Sequence, residues 1–352
     1  GYPRLGTCDV GATEWQGYRL AVSGGDNQSA GLNNPFPVPL QVTLVAAESG
    51  DTVPTGRTIN FNAPTSDASL DSSSFSATTD GSNLASANVT ANGISGSYVV
   101  TATASDVITP VTFALTNDCG LVTVTNDQDS GAGSLRQAIS EACDGGTITF
   151  AGDYTIYLAS TLAISKTITI NGVGHTVTVS GDTDNDSTGD VRVFAIDASG
   201  VVTISHLSVI NGFVNDDNGA GINNDGTLTL LSSTVRDNLL TGTGSGAGLF
   251  NTGTVIIGNS TFRGNGANDS SDGGGVTNMG EATIANSTFS GNQAATEGGA
   301  IFNLGTMTLN NSTLATNGAA GSGGGLYNGG DLTLRNTIIA NSPSGGDCVD
   351  TM

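Results

Sequence analysis

Arg236 and Arg263 hold the same position in two neighbouring repeats of this chain, 27 residues apart, and Asp237 stands beside the first. A base next to carboxylates that hold a cation is the residue set of lyase chemistry on a polysaccharide. Hydrolysis needs another set, two carboxylates converging on one cleft. Neither set is complete. The Arg column continues as Ser290 and Ala315, the single lysine is Lys166 in an earlier repeat, and no column of the regular repeats stacks acids. The column reads as a solvated outer face, and the residue inventory opposes an enzyme.

The acids of residues 182–190 pose a second question. Asp182, Asp184, Asp186 and Asp190, with Asp216 and Asp217 further on, offer hard oxygen ligands suited to Ca2+. The spacing lacks the glycine and the closing glutamate of an EF-hand loop, so a solvated turn inserted between repeats is the first reading and a Ca2+ site the second. No other cofactor is expected. The only histidines are His175 and His206, and Cys8, Cys119, Cys143 and Cys348 form no C-x-x-C pair, which argues against a zinc site. His206, between Ile204 and Leu207, reads as a structural residue at a strand edge. One lysine leaves almost no partner for isopeptide cross-links. Sequons at Asn88, Asn259, Asn286 and Asn311 arise readily in an Asn- and Thr-rich chain, and glycans would join them only in a source that glycosylates.

Charge narrows the partners. Nine Lys and Arg against 31 Asp and Glu give a net charge of -22, which repels phosphate backbones and anionic lipid alike. No nucleic acid is expected. No run of 18 apolar residues occurs, so no membrane insertion is expected either. The start, Gly1-Tyr2-Pro3-Arg4, shows no signal peptide and reads as a mature or excised end. An even cysteine count fits an oxidising, extracellular or cell-surface setting. Cys119 and Cys143 make the most plausible intrachain pair.

These residues must be positioned by strands. With 52 Gly but only 8 Pro and 11% charged residues, neither collagen nor charge-driven disorder fits. Residues 1–17 form a tail. Residues 18–118 carry about seven alternating runs separated by turn residues, the texture of a small β-sandwich. Residues 119–352 read as a parallel β-helix, with a cap over 121–150 and regular rungs over 219–341. The class is all-β.

The rungs are marked by columns. Gly221, Gly248, Gly275, Ala300 and Gly325 stand 27, 27, 25 and 25 residues apart. Each is followed by an aliphatic residue (Ile222, Leu249, Val276, Ile301, Leu326). Asn224, Asn251, Asn278, Asn303 and Asn328 come next, then Gly226, Gly253, Gly280, Gly305 and Gly330. Leu230, Ile257, Ile284, Leu309 and Leu334 form another column. Val235, Phe262, Phe289, Leu314 and Ile339 form a further one, and Asn238, Asn265, Asn292 and Asn317 a second polar column. A period near 26 is too short for βαβ units but suits one coil of a three-faced β-helix, rising ~4.8 Å per rung. Aliphatic columns become internal ladders and Asn columns stacked amides. The crossover rule predicts right-handed coiling.

Before the rungs, Ser134-Leu135-Arg136-Gln137 reads as a capping box, with Leu135, Ala138, Ile139 and Ala142 on one helical face. Such a helix would cover the first rung's core and edge. The stretch from Asp129 to Ile139, followed by Gly146-Thr147-Ile148-x-Phe150, resembles the N-terminal cap of large bacterial right-handed β-helix surface proteins of the polymorphic outer-membrane or adhesin type. Pro39-Leu40-x-Val42, Val53-Pro54-x-Gly56, Ile59-x-Phe61, Gly93 and Gly96-x-Tyr98-x-Val100 resemble, in order, the immunoglobulin-like domains of invasin-type surface proteins.

The tail Gly1 to Glu14, with Cys8-Asp9-Val10-Gly11, resembles the closing segment that follows the last rung in that β-helix family, and Ser342 to Cys348 resembles its penultimate segment. This phasing implies either one window of a longer repeat protein or a protomer whose tail completes its neighbour's open β-helix end, head-to-tail. In the second case copies of the chain are its partners. Tyr2 and Trp15 would then be docking anchors, and Cys8 of one unit would bond Cys348 of the next. The expected function is a structural unit of a bacterial extracellular fibre. A cell-surface adhesin module is the alternative, and a carbohydrate-active enzyme the third reading.

Overall fold

The structure, a computed structural model, describes residues 17–47, 52–105, 107 and 109–351. The tail residues Tyr2, Cys8 and Trp15 lie outside the described residues. The chain divides into two compact units between Val122 and Thr123.

In the first unit, alternating apolar residues make strands with one buried face. Leu40–Ala46 buries Leu40, Val42 and Leu44 and leaves the residues between them partly or fully exposed. It is the centre of a three-stranded antiparallel sheet with Tyr18–Gly24 and Leu84–Ala87. Five further strands form the other sheet, in the order Gln28–Gly31, Val111–Asp118, Gly96–Thr103, Thr58–Asn62, Ser74–Thr78. Ile59, Phe61, Val100 and Phe113 from that sheet join the same core as Leu40 and Val42. Phe61 stacks on Phe75 with ring centroids 5.0 Å apart.

The second unit is a parallel β-solenoid. Its longest sheet is nine strands deep, running from Leu121–Val124 to Asp331–Arg335, and two eight-stranded sheets complete the coil. The register never slips along the regular rungs. Leu230, Ile257, Ile284, Leu309 and Leu334 pair in succession on one sheet. Val235, Phe262, Phe289, Leu314 and Ile339 do so on the second, and Ile222 through Leu326 to Cys348 on the third. The ladder residues up to Leu326 are fully buried, each contributing about 1.5–3 kcal/mol of transfer free energy. Phe262 and Phe289 stack face to face, 5.0 Å between centroids.

A fourth, narrower sheet was not legible in the repeats. Phe213–Asn215, Leu239–Thr241, Gly266–Ala267, Gln293–Ala294 and Gly318–Ala319 pair in parallel between the second and third faces. Phe250, Thr277 and Phe302 lie between the inward columns of the third sheet, yet all three are buried.

Among the described residues one helix, Leu135–Glu141, precedes the regular coils and buries Leu135, Ala138 and Ile139. Ser134 is its N-cap, its Oγ accepting from the Gln137 N–H at 3.2 Å. The reciprocal half of the capping box does not form. The Ser134 N–H already donates to the Gly131 carbonyl, and Gln137 Nε2 turns to Glu141 at 2.8 Å. Cys119 and Cys143 are joined in a disulfide.

Candidate functional site

The acidic loop occupies the connector between Val177–Ser180 and Phe194–Ile196. In later coils the matching connector carries a strand of the fourth sheet. Here it folds on itself instead. Leu162 pairs with Phe194, a step of 32 residues, whereas Ile222 pairs with Leu249, a step of 27. Asp182 is buried, and its two carboxylate oxygens accept from the Asp186 N–H at 3.2 Å and the Ser187 N–H at 2.9 Å. Asp190 accepts from the Thr183 N–H at 2.7 Å, and Thr183 Oγ1 donates to the Leu158 carbonyl at 3.1 Å. The loop is thereby closed and fastened to the first coil.

Asp182, Asp184 and Asp190 each bring one carboxylate oxygen within 4.8 Å of the others. Asp186 is not in that group. It accepts from Thr188 through both N–H and Oγ1, and these bonds, the hydroxyl's first, hold its carboxyl below the usual range. Three convergent acids suit a hard cation, but Asp182 already spends both oxygens on backbone N–H groups. Asp216 and Asp217 lie in another coil. Asp216 receives Thr243, and Asp217 is paired with Arg192 at 2.5 Å.

The basic residues are each held by a local partner or set apart. Arg236 forms an ion pair with the adjacent Asp237, while Arg263 is exposed one strand away. Lys166 Nζ donates to the carbonyls of Ser140 and Ala142, both at 3.0 Å, at the negative end of the helix. His175 lies 3.6 Å from Asp153. His206 is exposed in a left-handed conformation, φ 58°, the first of a column continued by Ser232, Asn259, Asn286, Asn311 and Asn336, all with φ between 47° and 52°. That turn favours Asn. The following Ser233, Ser260, Ser287 and Ser312 are buried and bond from coil to coil. Turn geometry therefore accounts for the sequons at Asn259, Asn286 and Asn311.

The asparagine column is a continuous amide chain. Asn224 donates to Asn251 at 2.6 Å, Asn251 to Asn278 at 2.8 Å, Asn278 to Asn303 at 2.8 Å and Asn303 to Asn328 at 2.7 Å. Asn328 ends on the Asp350 carboxylate at 3.1 Å. Asn224 Oδ1 has no partner, because the coil before it places Ile196 at that position. Asn238, Asn265, Asn292 and Asn317 form a second chain, with donor to acceptor distances of 2.8–2.9 Å.

At the far end the internal columns come to the surface. Leu334 is 43% exposed, whereas its neighbour Leu309 is 0%. Leu332 and Ile339 are only half-buried beside the buried Met307 and Leu314. Cys348, on the outermost strand of the third sheet, is an exposed free thiol, its pKa pushed up by partial burial and then by Asp350 and Asp347. Among the described residues no helix is long and apolar enough to cross a membrane. The chain matches no protein-family model and no curated protein sequence.

Proposed function

We propose that this chain is a structural unit of a bacterial extracellular fibre or surface rod, without catalytic activity of its own. The observation that carries the reading is the pair of buried asparagine chains, which spends the polar columns of the regular coils on bonds from coil to coil and leaves a repeating internal scaffold. In this reading the N-terminal tail of one copy, with Tyr2, Cys8 and Trp15, completes the coil end of the next, and Cys8 bonds Cys348.

The remaining features fit a rod. Arg236 is paired with Asp237, and the Cys119–Cys143 disulfide accords with an oxidising setting. The helix Leu135–Glu141 acts as an N-terminal cap, the coiling is right-handed, and residues 18–118 form an immunoglobulin-like sandwich.

Negative-stain microscopy of the oxidised protein tests the assembly. Filaments are expected, together with a covalent ladder on non-reducing electrophoresis that Cys348→Ser abolishes. Leu334→Asp is expected to shorten the filaments while leaving each unit folded. Particles that stay single, with monomers alone on the gel, would overturn the reading.

A further inference from the structure

One cavity on the side of the solenoid is walled by the acidic loop. It is an open groove of about 380 Å3, lined by Tyr157, Asp182, Asn185, Ser187, Ile210, Asn211 and the Arg236–Asp237 pair. Tyr157, Ser180, Ile210 and Arg236 are successive partners across four strands. From Tyr157 to Arg236 the cavity therefore spans about 14 Å along the stack.

The wall is fixed. Both Asp182 oxygens bind backbone N–H groups of the loop, and Asp190 and Val191 donate their N–H groups to the Gly181 carbonyl at 2.9 and 3.0 Å. Gly189 packs so closely on Asn211 that a Cβ there would collide with the Asn211 carbonyl. An ordered polar loop that replaces a regular strand is an expenditure of conformational entropy that folding alone does not require.

The chemistry of the lining selects the ligand. Anions are disfavoured because the one guanidinium is already neutralised and the chain carries a net charge of -22. Apolar molecules would cover the largely polar lining without satisfying it. Cations are disfavoured because both Asp182 oxygens accept backbone N–H groups and Asp237 is paired with Arg236. What remains is a neutral, hydroxyl-rich molecule with a flat apolar face for the Tyr157 ring. Pyranoses with equatorial hydroxyls have both, hydroxyls for the amides, Ser187 and the free oxygen of Asp237, and C–H faces for the aromatic ring.

We propose that this cavity is a binding site for a neutral oligosaccharide, with Tyr157 as its stacking platform and Asn185 and Asn211 as its hydrogen-bonding clamps. The site goes beyond the structural role, anchoring the rod to a glycan matrix through its flank.

The test is calorimetric titration of the full chain with soluble cello-oligosaccharides and, separately, chito-oligosaccharides, which also distinguishes a glucan from an amino-sugar polymer. At least one should bind, and Tyr157→Ala and Asn185→Ala should each weaken it about tenfold with an unchanged melting temperature. Asn185 is exposed, so its variant remains informative if Tyr157→Ala fails to fold. Binding by neither sugar, or equal binding by the wild type and the Asn185→Ala variant, would overturn the site. Filaments seen by microscopy leave the rod reading intact in either event.

Discussion

Asn251 Nδ2 sits 2.8 Å from Asn278 Oδ1, in a chain of buried amides in which each residue after Asn224 accepts from the coil before it and donates onward. Asn251 also donates to the carbonyls of Gly253 at 3.1 Å and Glu281 at 3.2 Å. Its amide therefore ties the turn within its own coil to the strand of the next.

Asn251→Leu removes all of these bonds at once. It leaves the Asn224 amide and the Asn278 oxygen buried without their partner. Each stranded group costs about 1–3 kcal/mol, so a loss of roughly 2–5 kcal/mol is expected in a urea unfolding curve. Asn328→Leu, at the more open end of the ladder, should cost clearly less.

Gly253→Ala probes the spacing of the coils. A Cβ at Gly253 would fall on the Gly226 carbonyl oxygen, and the same clash recurs from Gly280 onto Gly253 and from Gly305 onto Gly280. Backbone cannot yield as a side chain can. The expected penalty is at least about 1–3 kcal/mol, seen as a lower melting temperature. Alanine at Gly346, whose Cβ would meet nothing within 4 Å but whose φ is +74°, should show only the smaller cost of a left-handed residue.

Reducing the Cys119–Cys143 bond frees the loop that holds the helix Leu135–Glu141. A loop of this length is worth about 3.5 kcal/mol in the chain-entropy account. Melting with and without reductant should differ accordingly. A Cys119→Ser, Cys143→Ser double variant should match the reduced protein and show no further effect of reductant.

Acid should loosen the turn at Asp216. Its carboxylate accepts from the Thr243 N–H at 2.9 Å and Oγ1 at 3.2 Å and from Asn215, and these bonds, the backbone one first, lower its pKa. A depressed folded pKa means the contribution is complete above the unfolded value, about 3.9, and is lost as pH falls through the lower folded value. The exchange protection factor of the Thr243 amide should fall in that acid window. Asp216→Asn should flatten the dependence.

The regular coils were legible because a β-solenoid repeats one environment. Whatever fills the Asn251 or Phe262 position must also suit its neighbours ~4.8 Å above and below. The fourth sheet escaped notice because its later strands are two residues long, such as Gly266–Ala267 and Gly318–Ala319, too short to show a period. The burial of Thr277 escaped for a related reason: alternation marks the side of a strand but not a loop that returns to cover it. In the acidic loop, Asp182 read as one exposed acid among several. Its burial comes from backbone N–H groups of Asp186 and Ser187, which carry no signature in side-chain composition.

The glycine column from Gly226 to Gly330 sets backbone against backbone at every coil, and the ladder bonds run along the stack. A pull on the chain end along that axis is therefore parallel to those bonds and peels a coil from its edge, bond after bond. Once a coil parts, its 25 to 27 residues pay out as about 85–90 Å of slack chain. Stretched singly, the molecule should lengthen in a staircase of near-equal treads, which is the behaviour of a shock absorber built from identical links.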